Sequence, residues 1–171
     1  MNNALTTDPA LDLVMTRQTD VPVDLVWKAW TTPELLKQWF TPRPWMTTEC
    51  KMDLRPGGQF LTVMESPEGD RFPGEACILE VVEARRLVWT SGLLPGYRPR
   101  AVMPKSESGN ESFPFTAIIE MEPNGTGTSY RATVIHGDEE SKRLHDGMGF
   151  ETGWGSAFDQ LVELMSARAG S

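Results

Sequence analysis

A proline-free stretch at the C-terminal end of the chain constrains the fold most strongly. Between residues 138 and 169, large apolar side chains recur at spacings of four, four, three and four: Phe150, Trp154, Phe158, Leu161 and Met165. This periodicity places them on one face of an α-helix, and Asp138 followed by two glutamates is a typical helix start. The sequence therefore predicts one long helix whose apolar face is buried against another element.

The middle of the chain has the two-residue periodicity of β-strands instead. A first strand begins at Leu11, and turn sequences rich in glycine and proline separate six further predicted strands: 46–54, 58–65, 74–84, 87–91, 113–121 and 128–136. After the first strand, Pro22 and the Thr32-Pro33 pair predict two short helices, with Thr32 as a cap. We therefore predict an α+β protein in which the long helix covers a seven-stranded antiparallel sheet.

Length and charge limit the partners and the location. The 171 residues make one domain, which we place at 11–169 after a flexible arm at 1–10. The 24 acidic residues outnumber the 16 basic ones, and the net charge of -8 argues against nucleic acid or a membrane as partner. Because the chain has neither an apolar run of membrane-spanning length nor a signal peptide, we expect a cytoplasmic protein.

The cysteines and histidines do not have the spacing of a metal site. Cys50 and Cys77 each lie in a predicted strand, where a small buried thiol is the simplest interpretation. His136 and His145 are nine positions apart and lack the His-Glu-x-x-His pattern. We therefore expect no disulfide, no metal and no cofactor.

Four short signatures, taken in order, resemble one family. They are VWKAWT at 26–31, DLRPGG at 53–58, EVVEARRLVWT at 80–90 and HDGMGFETGW at 145–154. Over residues 11–166 the chain is similar to the START-like, or SRPBCC, superfamily. Within it, the chain resembles the branch named for the activator of the heat-shock protein 90 ATPase.

The resemblance implies a helix-grip fold (START-like, Bet v-like), in which a curved sheet wraps around the C-terminal helix and leaves a cavity. In many relatives such a cavity holds a hydrophobic or aromatic small molecule. Some bacterial relatives are described as polyketide cyclases, and one protects its producer from an antibiotic by binding it. The activator itself has an additional N-terminal chaperone-binding domain, for which this chain has no room.

Candidate ligand-binding residues lie on the inward face of the sheet or on the helix face that meets it. His136 has the same strand parity as Tyr130, Ala132 and Val134, so its side chain is predicted to point inward. The predicted binding residues are Trp39, Met64, Trp89, Phe115, His136, Met148, Phe150, Trp154 and Phe158.

Three functions are open from the sequence. The first is binding of a small hydrophobic or aromatic molecule without catalysis, since no catalytic motif is recognisable. The second is an enzyme of cyclase or hydro-lyase type, in which His136 and a carboxylate such as Glu151 move protons. The third is a module for chaperone binding or self-association, so the chain is expected as a monomer or a homodimer.

Two segments near the predicted site have two interpretations each. Residues 93–112 form either a solvated loop or a lid, on which Tyr97, Arg98, Arg100 and Lys105 would favour a ligand with a carboxylate or phenolate. His145 and Asp146 form either a solvated helix surface or, with Glu151, a polar patch.

Four glycines, at 147, 149, 153 and 155, lie near the start of the predicted helix. Each costs about 1 kcal/mol relative to alanine inside a helix, so something is expected to offset them. The candidates are close approach to the strands around Trp89 or His136, space for a ligand beside Trp154, or a helix that begins only near Gly153.

Overall fold

The computed structural model describes residues 5–103 and 112–169, and it confirms the predicted α+β architecture. The strands are β1 (Asp12–Thr19), β2 (Met46–Met52), β3 (Gln59–Glu65), β4 (Arg71–Val82), β5 (Arg86–Thr90), β6 (Leu93–Leu94), β7 (Arg98–Pro99), β8 (Phe115–Asn124) and β9 (Gly127–His136). Seven of them form one antiparallel sheet in the order β1-β9-β8-β5-β4-β3-β2. The first strand therefore pairs with the last one, and β2 forms the other edge.

The helices are α1 (Val23–Thr31), α2 (Pro33–Leu36), α3 (Glu139–Gly147) and α4 (Phe150–Ala169). The two short helices after β1 are as predicted, although the Thr32 side chain makes no capping hydrogen bond. The prediction of a single long helix over 138–169 is wrong, because Gly149, whose φ is 87°, separates α3 from α4. No helix in the described part of the chain is long and apolar enough to cross a membrane.

Asp138 starts α3 as expected. Its carboxylate accepts a hydrogen bond of 2.7 Å from the backbone N–H of Ser141. That bond stabilises the ionised form and holds the pKa of Asp138 below its usual value. The beginning of the C-terminal helical region is therefore fixed by the residue that the sequence indicated.

The inward face of the sheet packs under α4. The parity argument for β9 is confirmed, because Tyr130, Ala132, Val134 and His136 are all buried. The Tyr130 ring stacks on Phe158 of α4, with ring centroids 4.3 Å apart. Aromatic stacking and apolar burial therefore hold α4 against the sheet.

The deep core is filled by interlocking aromatic rings. The Trp30 indole lies 4.7 Å from the Trp39 ring and 5.2 Å from the Trp89 ring, and Phe60 lies 5.1 Å from Trp89. None of these four side chains is more than 4% exposed. Together with the stacked Tyr130 they occupy the interior between the sheet and the helices.

One buried polar atom in this core lacks a hydrogen bond of ordinary geometry among the described residues, the Nε1 atom of Trp30. Its indole still interacts with the Tyr130 hydroxyl, whose pKa is raised by burial and lowered to a smaller extent by the indole. Other buried polar side chains have ordinary partners; for example, the Trp39 indole N–H donates to the carbonyl of Ala29 and the Thr128 hydroxyl donates to that of Val21.

The segment predicted as a loop at 93–112 contains the β6–β7 hairpin. The Tyr97 ring packs on Gly57, where an added Cβ atom would lie 2.8 Å from Cε2 of the tyrosine. The guanidinium of Arg100 donates hydrogen bonds to the carbonyls of Ser91 and Glu75. Lys105 lies outside the described residues, as do positions 1–4 of the predicted arm, and the lid function stays a prediction.

Candidate ligand-binding site

Six rings gather at one end of the sheet and form what we call the aromatic–histidine cluster: Phe113, Phe115, His136, His145, Phe150 and Trp154. Phe115 begins β8 and pairs across the ladder with His136, the last residue of β9. The chain then turns into α3, which brings His145 back over this strand end, and the first turns of α4 add the last two rings. The cluster is therefore built where four elements meet.

The His145 imidazole is the centre of the cluster. It is half-buried, and its ring centroid lies between 5.1 and 6.3 Å from those of five neighbours: Phe113, Phe115, His136, Phe150 and Trp154. Phe150 and Trp154 contact it edge to face, an arrangement that the quadrupole of aromatic rings favours.

A chain of hydrogen bonds links the two histidines to the backbone. The Nδ1 atom of His136 lies 2.8 Å from the carbonyl oxygen of Leu11. Its Nε2 atom lies 2.9 Å from Nδ1 of His145. Among the described residues, the Nε2 atom of His145 has no hydrogen-bond partner, and it is not sealed from solvent.

The environment of His145 favours the neutral imidazole. Burial, with a smaller contribution from the neighbouring His136, lowers the pKa of His145 to about 4 against the opposing effect of Asp146. At neutral pH the centre of the cluster is therefore uncharged.

The structure brings together four of the nine predicted binding residues, namely Phe115, His136, Phe150 and Trp154. The deeper residues Trp39, Trp89 and Phe158 are part of the buried hydrophobic core. Met64 lies near the opposite edge of the sheet, between Thr47 of β2 and Phe72 of β4.

Met148 is placed differently from the expectation. It follows the end of α3 and is 75% exposed, since the helix break directs this part of the chain outward. The sequence interpretation also missed Phe113 and His145. His145 was assigned to a solvated surface or a polar patch, whereas the structure places it among aromatic rings.

The predicted proton-transfer pair does not form. The Glu151 carboxylate makes an ion pair of 2.9 Å with Arg17 of β1, and its side chain is 62% exposed. His136, by contrast, is buried and held by Leu11 and His145. Glu151 is therefore placed to bind Arg17 at the surface rather than to exchange protons with His136.

Neither cysteine forms a disulfide, and burial raises the pKa of the Cys50 thiol to about 11. Its thiolate population is therefore small at neutral pH, which argues against a nucleophilic role. In the described part of the chain, no three His, Cys, Asp or Glu side chains are arranged to hold a metal ion.

The glycines have separate explanations. Gly149 makes the break between the helices, and α4 begins at Phe150 rather than near Gly153. At Gly155 an added Cβ atom would lie 2.9 Å from the guanidinium of Arg17, so the close approach is to β1 and not to Trp89 or His136. Gly153 has open space around it.

The surface of the described residues includes the following two depressions. One, of about 500 Å³, is lined by Ala10, Glu139, Glu140, Lys142 and Arg143. The other, of about 380 Å³, lies between the segment after α2, β2 and α4, and Trp45, Thr47 and Gln160 are among its lining residues. Neither is lined by a residue of the aromatic–histidine cluster.

Comparison with known proteins gives a family. The model of the family described as "Activator of Hsp90 ATPase homolog 1-like protein" matches residues 20–166. A protein of Nitrosomonas europaea with a known crystal structure is 44% identical, with a TM-score of 0.87 over 96% of this chain and 100% of that chain. None of the curated proteins matches the sequence.

More distant structures have the same fold. A protein of Arthrobacter aurescens, solved by NMR, is 22% identical, with a TM-score of 0.77 over 95% of this chain and 90% of that chain. The protein of Silicibacter pomeroyi described as AHSA1 is 18% identical, with a TM-score of 0.65 over 92% of this chain and 99% of that chain. At these identities the likeness concerns the fold alone.

Proposed function

Since the chain belongs to the family of Activator of Hsp90 ATPase homolog 1-like proteins, whose START-like fold is consistent with a ligand-binding domain, we propose that it binds a small aromatic or apolar molecule without transforming it. The binding site in this proposal is the aromatic–histidine cluster. The observation that carries it is the set of half-buried rings around His145, at the end of the sheet where the chain leaves part of their surface open.

The chemistry of the cluster fits such a ligand. Small-molecule sites are mostly apolar and contain a few polar groups that fix orientation. Here Phe113, Phe115 and Trp154 offer incompletely buried aromatic surface, and the imidazole of His145 is the accessible polar group beside them. A planar ligand that stacks on these rings gains apolar burial and aromatic contact energy together.

Binding without catalysis is favoured by the partners of the histidines. General acid–base catalysis needs a titratable group within hydrogen-bond reach of the reacting atom and a matched pKa. His136 is already bonded at both ring nitrogens, and the low pKa of His145 makes it a weak base. Glu151 is engaged by Arg17.

A second candidate function is self-association or contact with a chaperone. Leu144 and Met148 lie one turn apart at the end of α3 and are 50% and 75% exposed. An apolar pair of this kind beside the cluster is the feature that favours the alternative of self-association or chaperone contact. Native mass spectrometry of the purified chain reports a homodimer and a retained small molecule in the same spectrum.

Titration calorimetry with 2-naphthol tests the proposed site. We expect wild-type protein to bind, and the Trp154→Ala variant to lose about tenfold in affinity, since stacking and burial on an aromatic ring contribute on the order of 1 to 2 kcal/mol. Trp45→Ala is the matched control, because Trp45 is also partly exposed, contacts the Phe72 ring and lines the 380 Å³ depression. Binding that depends on Trp45 and not on Trp154, or no binding at all, would overturn the proposal.

A further inference from the structure

We propose that the aromatic–histidine cluster selects ligands that donate a hydrogen bond, such as phenols and amides, over ligands that only accept one, because the accessible nitrogen of His145 presents a lone pair. The inference rests on the proposed function and names the ligand chemistry that the same site prefers. It follows from the order of hydrogen bonds through the two imidazoles.

The first step is fixed by the backbone. A carbonyl oxygen accepts hydrogen bonds and has no hydrogen to donate. Since the Leu11 carbonyl lies 2.8 Å from Nδ1 of His136, that nitrogen carries the hydrogen. The same carbonyl also accepts the backbone N–H of His136 at 3.1 Å, which anchors the end of β9 to the residue before β1.

The second step concerns which ring nitrogen of His145 carries the hydrogen. A neutral imidazole carries one hydrogen, so Nε2 of His136 is an acceptor once Nδ1 is a donor. The 2.9 Å contact between this Nε2 and Nδ1 of His145 then requires a hydrogen on Nδ1 of His145. The remaining nitrogen, Nε2 of His145, is left as an acceptor.

The third step is the effect of the surroundings on the free nitrogen. His145 is ringed by Phe113, Phe115, Phe150 and Trp154, so a ligand that covers its Nε2 atom removes it from water. A desolvated polar group without a partner costs more free energy than a formed hydrogen bond gains. A donor on the ligand satisfies the nitrogen, whereas an ether or carboxylate oxygen places a second lone pair against it.

This selectivity differs from the one that the loop at 93–112 suggested. Basic side chains there would favour a carboxylate or phenolate, but Arg100 is engaged with backbone carbonyls. At the cluster itself, the polar group beside the aromatic rings is the neutral imidazole of His145, which accepts a hydrogen bond at Nε2.

The tautomer is measurable without any ligand. Long-range ¹H–¹⁵N correlation of the ¹⁵N-labelled full chain at pH 7 distinguishes protonated from unprotonated ring nitrogens, and His145→Phe assigns the two imidazoles. We expect a hydrogen on Nδ1 and none on Nε2 of both His136 and His145. A hydrogen on Nε2 of His145 would overturn the inference while leaving the proposed binding site untouched.

Three naphthalenes that differ in one substituent test the selectivity: 2-naphthol, 2-methoxynaphthalene and 2-naphthoate. We expect 2-naphthol to bind about tenfold more tightly than 2-methoxynaphthalene. The hydroxyl group donates a hydrogen bond to Nε2 of His145, whereas the methoxy group leaves this nitrogen without a partner. In His145→Phe, which keeps a ring of similar size, the ratio of the affinities for 2-naphthol and 2-methoxynaphthalene should fall to about one. In Trp154→Ala both ligands should bind more weakly, and the ratio should stay at about ten.

The outcomes separate the two proposals. Equal affinity of wild-type protein for 2-naphthol and 2-methoxynaphthalene, or tightest binding of 2-naphthoate, overturns the inference and leaves the proposed function standing. Absence of binding for all three overturns the proposed function, and the inference with it.

Discussion

At the scale of single residues, the proposed site depends on a histidine whose position could not be predicted from the sequence. Strand parity placed His136 on the inward face, and the structure confirms its burial. His145 was assigned to the surface or a polar patch because the segment after Asp138 appeared to be one helix whose apolar stripe starts only at Phe150. Its contact with His136 depends on the turn between β9 and α3, and its contacts with Phe150 and Trp154 depend on the turn between α3 and α4. A helical periodicity contains no information about either turn.

The lowered pKa of His145 predicts a pH dependence of stability. Its pKa is about 4 in the folded protein against an ordinary value of 6.5, so the unfolded chain takes up the proton first as the pH falls. The contribution of His145 is therefore fully present above pH 6.5 and is lost between pH 6.5 and 4, by up to about 3 kcal/mol.

Urea unfolding at pH 7 and at pH 4.5, in wild-type protein and in His145→Phe, measures this contribution. Groups that the substitution leaves unchanged contribute to both pH profiles, so the difference between the profiles reports the removal of the His145 imidazole. We expect the wild-type free energy of unfolding to fall more steeply on acidification. Parallel profiles would contradict the account of a buried neutral imidazole.

At the scale of elements, the sheet was predictable and the C-terminal helix was only partly so. Alternating apolar residues and turns such as Arg55-Pro56-Gly57-Gly58 located the strands of the main sheet to within a few residues. The break in the helix was missed because the segment has no proline and a good cap at Asp138. Its cause is Gly149, whose φ of 87° suits glycine and strains other residues.

Two glycines four residues apart provide a matched test of this break. Gly149→Ala should destabilise the protein by about 1 to 2 kcal/mol, since a Cβ atom is unfavourable at positive φ. Gly153→Ala should stabilise it by up to about 1 kcal/mol, because Gly153 lies inside α4 with open space around it and alanine is the better helix former.

Chemical denaturation of the two variants measures the free energies of unfolding. Opposite signs are expected. Equal changes in both would mean that α3 and α4 form one continuous helix, in which case His145 would lose the position that the cluster requires.

At the scale of the whole molecule, the fold could be predicted from the sequence, whereas the location of a ligand site could not. The aromatic residues predicted to line a cavity are of the same types that fill a core, and composition does not distinguish the two uses. The structure resolves the ambiguity in part: Trp39, Trp89 and Phe158 fill the interior, whereas Phe115, Phe150 and Trp154 meet His145 at its open end. The proposed site therefore lies at the end of the sheet–helix space rather than deep within it.

Titration of ¹⁵N-labelled wild-type protein with 2-naphthol, followed by ¹H–¹⁵N correlation spectra, tests this location most directly. We expect the largest shift changes at the imidazole of His145, the indole N–H of Trp154 and the backbone of Phe113 and Phe115, with the indole signals of Trp45 and Trp89 unchanged. Largest changes at Trp45 would move the site to the 380 Å³ depression, and largest changes at Trp89 would move it into the core. Either result would contradict binding at the aromatic–histidine cluster.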